Sequence, residues 1–220
     1  MSEAQSECRG KQQWAGEDHY KAIQDAENAW DEAVRELLVE SGLWTAIRSR
    51  PFGRVADPGG RPHAIFVTAI DTEPLAPDVS VVLEGAHGPF ERGVAALARL
   101  TDGGVYVCTA PSSGVPVPPG DRIRREEFGG VHPAGNPGVH MHVLDPVTRD
   151  KPAWHVGYQD VAAMGRLFDT GELSVERVIA LAGPAQPNPR LIRTRLGAAT
   201  SELFDPPVDD GIRILSGSLL

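Results

Sequence analysis

Three short apolar runs, rich in β-branched residues, constrain this chain most: HAIFVTAI (63–70), VYVCTA (105–110) and VERVIALA (175–182). Runs of this kind typify strands buried on both faces, as in a parallel sheet. Stretches with helical periodicity separate them. Phe90 to Leu100 places Phe90, Val94, Leu97 and Ala98 on one side, and Tyr158 to Phe168 does the same with Val161, Met164, Leu167 and Phe168. Alternating strands and helices indicate an α/β fold with an open, mainly parallel sheet. The expectation is that runs 63–70, 105–110 and 176–182 are neighbours in one sheet. Helices 90–100 and 158–168 pack on it, with Phe168 in the core.

The remaining segments fill in around this frame. Residues 1–27 read as a polar leader. Trp30, Val34, Leu37 and Leu38 suggest an amphipathic helix from Asn28 to Ser41, closed by Gly42. LWTAIRSRPFGRVADPGGRP and DTEPLAPD are loops, the second at the carboxyl end of the first strand. Asp102-Gly103-Gly104 ends the helix before the second strand. Arg122 to Phe128 reads as a charged strand. HPAGNPGVHMHVLDP (132–146) is loop in its first half and helix or strand in its second, and Trp154 to Gly157 is a short strand. After Pro189 the pattern changes: LIRTRLG alternates as a half-exposed strand, TSELF is a helical turn and IRILSG a strand. The division is a leader (1–27), an α/β domain (28–183) and a smaller module (184–220).

Composition narrows the function classes. A net charge of −9 opposes nucleic-acid binding, which needs clustered Lys and Arg. Hydrophobic and charged fractions of 41% and 23% are ordinary for a soluble globular protein. Cys8 and Cys108 form no disulfide framework or iron–sulfur spacing, which fits a reducing cytoplasm with Cys108 buried and unpaired. No run approaches the about 18 apolar residues of a membrane span, and MSEAQSECRGKQQW lacks the apolar region of a signal peptide.

Motifs that carry chemistry are scarce. There is no GxGxxG between a strand and a helix; Gly103-Gly104 follows a helix and precedes a strand. There is no P-loop, GxSxG or HExxH. His132, His140, His142 and His155 cluster in sequence. On a strand His140 and His142 would share a face, as metal ligands can, with Asp145 the nearest acid. The alternative is bonding to loop backbone or a subunit interface. Glu172 with Glu176, or Asp78 with Glu84, would pair only through tertiary folding, and surface solvation is the competing reading. Arg190, Arg193 and Arg195 form either a solvated face or a dock for an acidic partner. Trp44, Phe52 and Trp154 are either core or a contact for a ligand headgroup or another subunit. No residue is assigned a catalytic, cofactor-binding or metal-binding role.

Four stretches carry a family resemblance, in order: VRELLVESGLWTAIRSRPFGRVA (34–56), HAIFVTAIDTEPLAPD (63–78), HPAGNPGVHMHVLDP (132–146) and PAWHVGYQDVAAMGRLFDTGELSVERVIALAGPAQPNPRLIRTRLGA (152–198). From Val34 to Leu220 the chain resembles the alpha subunit of the sodium-translocating NADH:quinone oxidoreductase of bacterial inner membranes. The resemblance implies a Rossmann-like domain related to the flavin-binding subunit of respiratory complex I, followed by a partial β-grasp (ubiquitin-like) module. Where those relatives cradle FMN with a glycine-rich loop, this chain has Leu43, Trp44 and Ile47 within residues 41–52.

The implied role is a peripheral subunit on the cytoplasmic side, without a redox centre of its own. NADH, FAD, FMN, a 2Fe-2S centre and ubiquinone are used by other subunits of the sodium-exporting complex. Those subunits are the implied partners, with ubiquinone a further one. Family members begin with a carrier-like β domain and continue into a helical region. A truncated form is therefore expected, with Trp30, Leu43, Trp44, Phe52, Leu215, Leu219 and Leu220 left exposed. The alternatives are a stand-alone flavin- or NADH-dependent oxidoreductase and a non-redox interaction module.

Overall fold

The computed structural model describes residues 25, 29–204 and 211–217. Most of the leader, with Cys8, and the terminal Leu219 and Leu220 lie outside them. Residues 29–40 form helix α1, whose Val34 and Leu38 are buried. Gly42 ends the helical run with the left-handed φ of 78° that favours glycine. A 3-10 turn, Leu43–Ala46, leads into strands β1 (Arg48–Arg50) and β2 (Arg54–Val55).

The alternating units follow. They are β3 (Ala64–Ala69), α2 (Val79–Val82), α3 (His87–Leu97), β4 (Gly104–Thr109), β5 (Ile123–Glu127), α4 (Pro137–Leu144), β6 (Ala153–Gly157) and α5 (Tyr158–Thr170). One six-stranded sheet has the order β2-β1-β6-β3-β4-β5. Strands β6, β3, β4 and β5 run parallel, and the β1–β2 hairpin adds an antiparallel edge. The α/β expectation and the first two apolar runs are therefore borne out, as are the strands at 122–128 and 154–157.

The third run is corrected. Residues Glu176–Leu181 form β7, which pairs antiparallel with β8 (Arg190–Arg195) in a separate two-stranded sheet. The physical reason lies in burial. Only Leu181 of β7 is fully buried, whereas β3 is buried along nearly its whole length. The run is apolar enough to resemble a central strand, but Glu176 and Arg177 mark it as half-exposed. IRILSG is corrected too: residues 212–217 are irregular in the described chain. TSELF contains a 3-10 turn, Thr200–Glu202.

Side chains on the two faces of the sheet build two cores. Ile65, Val67, Val105, Val107, Trp154 and Val156 meet α1, α3 and α5 on one side. Ala64, Phe66, Cys108 and Ala153 meet Met141 of α4 on the other. Leu43 and Trp44, expected at an exposed surface, are 6% and 3% exposed, because they complete the first core. Trp44 donates its indole N–H to the Ala56 carbonyl at 2.7 Å and meets Trp154 edge-on at 5.4 Å. Trp30, Phe52 and Leu215 are exposed as expected. Phe168 is half-buried and packs on the margin of the core, so its place on the fully buried stripe is corrected. Cys108 is buried and unpaired. Among the described residues no helix is long and apolar enough to cross a membrane.

Helices α3 and α5 cross where each has a glycine. A Cβ at Gly165 would stand 1.7 Å from the Pro89 carbonyl oxygen, and one at Gly93 would stand 2.0 Å from that of Val161. Backbone occupies the space, so neither helix can retreat without losing core contacts. Helix propensity alone would make Gly165→Ala stabilising by about 1 kcal/mol. We expect the opposite sign, a loss of about 1–3 kcal/mol or more from overpacking, measured by urea unfolding.

Candidate functional site

Strands β4 and β5 lie on one side of β3 and β6 on the other, so the strand order reverses at the β3–β6 pair. In open α/β sheets ligands bind at the carboxyl ends of strands where the order reverses. A cleft of roughly 720 Å³ lies at this place. One wall is the loop after β3, with Asp71, Glu73 and Pro74 to Pro77. Tyr158 and Gln159, at the start of α5, reach it from the end of β6. Residues 178–180 and 182–186 of the β7 region and 211–215 close the far side. The lining is largely apolar, with the carboxylates of Asp71 and Glu73 at one side.

The second sheet is fixed to the first by two contacts from the first turn of α5. The Gln159 carboxamide donates from Nε2 to the Val178 carbonyl at 3.0 Å and accepts the Val178 N–H at Oε1, 2.9 Å away. It stands where a neighbouring strand would stand on the open edge of β7. Asp160 pairs with Arg177 beside it. Burial pushes the Asp160 carboxyl up more than Arg177 pulls it down. Tyr158 is nearly buried; burial first, then the carboxylates of Asp71 and Asp78, push its phenol up to about 12. It stays protonated at neutral pH, so its hydroxyl can donate a hydrogen bond.

The loop after β3 is tied to the loop before α4. Thr72 Oγ1 accepts the Gly135 N–H at 2.8 Å and meets His132 Nδ1 at 3.4 Å. His132 Nε2 lies 3.8 Å from Glu73 and 3.5 Å from Asn136 Nδ2. The wall of the cleft therefore has a polar brace behind it.

The four histidines noted in the sequence do not converge. His140 and His142 sit on a helix rather than a strand, so two residues separate them by about 200° of rotation. The shared ligand face is corrected: His140 is buried and His142 exposed. His140 donates from Nε2 to the Ala134 carbonyl at 2.8 Å, and burial holds its pKa below the usual value. Asp145 is engaged elsewhere. It meets His63 at 2.8 Å and also pairs with Lys151. Burial would raise its carboxyl, but Lys151 and His63 hold it lower. His63, which sequence reasoning missed, also contacts the Pro152 carbonyl at 2.8 Å and ties the start of β3 to the start of β6. Among the described residues no group of three or more His, Cys, Asp or Glu could hold a metal ion.

The other pairs are structural. Asp78 caps α2 by accepting from the Ser80 N–H at 2.8 Å and from its hydroxyl at 2.7 Å, and these bonds lower its pKa. Glu84 and Glu172 face solvent. Glu176 pairs with Arg193 at 2.5 Å, while Arg190 donates to the Asn188 carbonyl at 3.1 Å. Arg195 is exposed. Of the three aromatics noted near loops, Trp44 and Trp154 are core and Phe52 stands at a hairpin tip.

An open, mainly parallel α/β sheet followed by a small antiparallel unit defines the class. The model of the NqrA second alpha/beta domain matches residues 29–173, and that of the NQRA C-terminal domain matches 178–220. The chain belongs to the NqrA family that these domains define. It is 52% identical over 189 residues to the NqrA subunit of the Na(+)-translocating NADH-quinone reductase of Cellvibrio japonicus (strain Ueda107), covering 86% of this chain and 42% of that protein. It is 48% identical over 204 residues to the protein of the same name from Yersinia pestis, covering 92% and 45%. The Rhodopirellula baltica protein of that name is 51% identical over 191 residues, covering 86% and 42%. The chain thus spans less than half the length of these relatives.

Two outcomes are expected here. Gln159→Ala removes both bonds to the edge of β7. It should cost about 1–3 kcal/mol in urea unfolding, because a part-buried strand edge loses its partner. The second outcome concerns His155 on β6. Burial first, then Arg50 and Arg48, lower its pKa from 6.5 to about 4. The unfolded chain takes up this proton below about pH 6.5, whereas the folded chain resists it until about pH 4. His155 therefore contributes its full stability above that window and loses it as pH falls through it. Stability should drop by about 1–3 kcal/mol from this group, and His155→Gln should flatten the profile.

Proposed function

We propose that this chain serves as a peripheral subunit, or part of one, of a sodium-translocating NADH:quinone reductase. One observation carries the reading. The similarity to proteins of that name runs through both matched units, at 48% identity over 92% of this chain in the Yersinia pestis protein. The role is scaffolding, with the cleft between the loop after β3 and the β7 region set near the quinone-reducing step. The chain alone carries no activity. NADH, FAD, FMN and the 2Fe-2S centre belong to other subunits, which with ubiquinone are its proposed partners. The proposed location is the cytoplasmic side of the bacterial inner membrane.

At finer detail, we read the six-stranded sheet as Rossmann-like and related to the flavin domain of complex I. The β7–β8 unit is read as part of a β-grasp module. The proposed division remains a leader at 1–27, the α/β domain at 28–183 and the module at 184–220.

The stand-alone flavin- or NADH-dependent oxidoreductase is less well supported, for a steric reason. Leu43, Trp44 and Ile47 are buried core side chains in the segment that would have to let a flavin approach the backbone. Co-expression with the remaining subunits tests the main reading. The chain is expected to co-purify with the membrane subunits, and alone to show no absorbance near about 450 nm, the flavin region. Stoichiometric flavin on the isolated chain, with no retention by those subunits, would overturn it.

A further inference from the structure

The β1–β2 hairpin departs from the rest of the surface. The chain carries a net charge of −9, yet this short hairpin holds Arg48, Arg50 and Arg54 and no acid between them. Positions 51–55 are all exposed, with Phe52 at the tip 68% exposed and Val55 42% exposed. Among the described residues, none of the three guanidinium groups makes a hydrogen bond or ion pair. Several arginines elsewhere are engaged: Arg61 with Asp31 and Asp102, Arg92 with Asp169, Arg177 with Asp160.

Arg50 is the most pointed case. Its Nε is shut off from water and has no hydrogen-bond partner. A desolvated donor on a charged group is costly when left unpaired. Arg48 and Arg50 are two apart on β1, so both side chains lie on one face of the sheet. Arg48 stands opposite His155 in the ladder, which places that imidazole on the same face. Arg54 stands opposite Ser49, so its side chain lies on the other face. Arg48 and Arg50 form a positive, partly desolvated surface near an exposed aromatic ring.

We propose that this hairpin is a docking surface for an acidic polypeptide segment, which sets carboxylates against Arg48 and Arg50 and an apolar side chain against Phe52. Arginine's planar fork matches a carboxylate in two-point geometry. An aromatic residue flanked by arginines has the composition of an interface hot spot. A lipid surface fits less well. Each basic residue near an anionic bilayer contributes about 1 kcal/mol, and a chain of this net charge is repelled over the rest of its surface. The surface is separate from the cleft, and its test requires no other subunit of the complex.

The test uses the full chain and a fluorescent synthetic peptide with glutamates around a central leucine. A glutamine version of the peptide and phosphatidylglycerol vesicles are run in parallel. Arg48→Glu and Phe52→Ser alter exposed positions, and an unchanged thermal midpoint verifies their folding. Saturable anisotropy is expected for the glutamate peptide, weakened about tenfold by the charge reversal at Arg48 and measurably by Phe52→Ser. The glutamine peptide should not bind, and vesicles should not sediment the chain. Absence of saturable binding, or binding indifferent to both variants, would overturn the proposal. So would vesicle sedimentation that the charge reversal abolishes, which would make this a lipid site.

Discussion

The carboxamide of Gln159 holds this architecture together. By bonding both backbone groups of Val178, it seals one position of an open strand edge with a side chain from the first turn of α5. The two-stranded β7–β8 sheet would be marginal alone, since two strands bury too little to be independently stable. Anchored there, and by Arg177 on Asp160, it becomes one wall of a cleft whose opposite wall is the loop after β3. The polar brace of Thr72, His132 and Gly135 fixes that second wall. The cleft is thus a product of two side-chain anchors on a rigid sheet.

The rigidity of the sheet rests on close approach. Gly93 and Gly165 let α3 and α5 meet backbone to backbone over β3 and β6, which brings α5 to the position from which Gln159 can reach β7. Trp44 and Trp154 close the same core from the side of β1. Bulky side chains in this segment serve packing.

The sequence made the parallel part of the fold legible because burial on both faces leaves an unbroken apolar run, as in β3 and β4. It misplaced β7 because Val178, Ile179, Ala180 and Leu181 look alike whether a strand sits in the middle of a sheet or at the rim of a small one. The family resemblance was carried by long motifs that survive in order and is matched by both family models. The cleft could not be read ahead of the structure. Tyr158 and Gln159 looked like the start of an amphipathic helix, and only tertiary placement sets them against β7. His63 was missed for the same reason: its partners, Pro152 and Asp145, are far away in sequence. The hairpin of Arg48, Phe52 and Arg54 read as a turn-rich loop because two- and three-residue strands leave no periodicity to detect.

Hydrogen exchange at single amides of β7 tests the central claim that a side chain completes the edge of this strand and fixes the cleft. Val178 and Ala180 both direct their backbone N–H away from β8, since alternate residues of an edge strand face the same way. Only Val178 meets Gln159. We expect the Val178 amide to be protected about as well as its ladder-bonded neighbour Ile179, while Ala180 exchanges much faster. Equal, rapid exchange at Val178 and Ala180 would contradict the claim, because the Gln159 anchor would then be absent in solution.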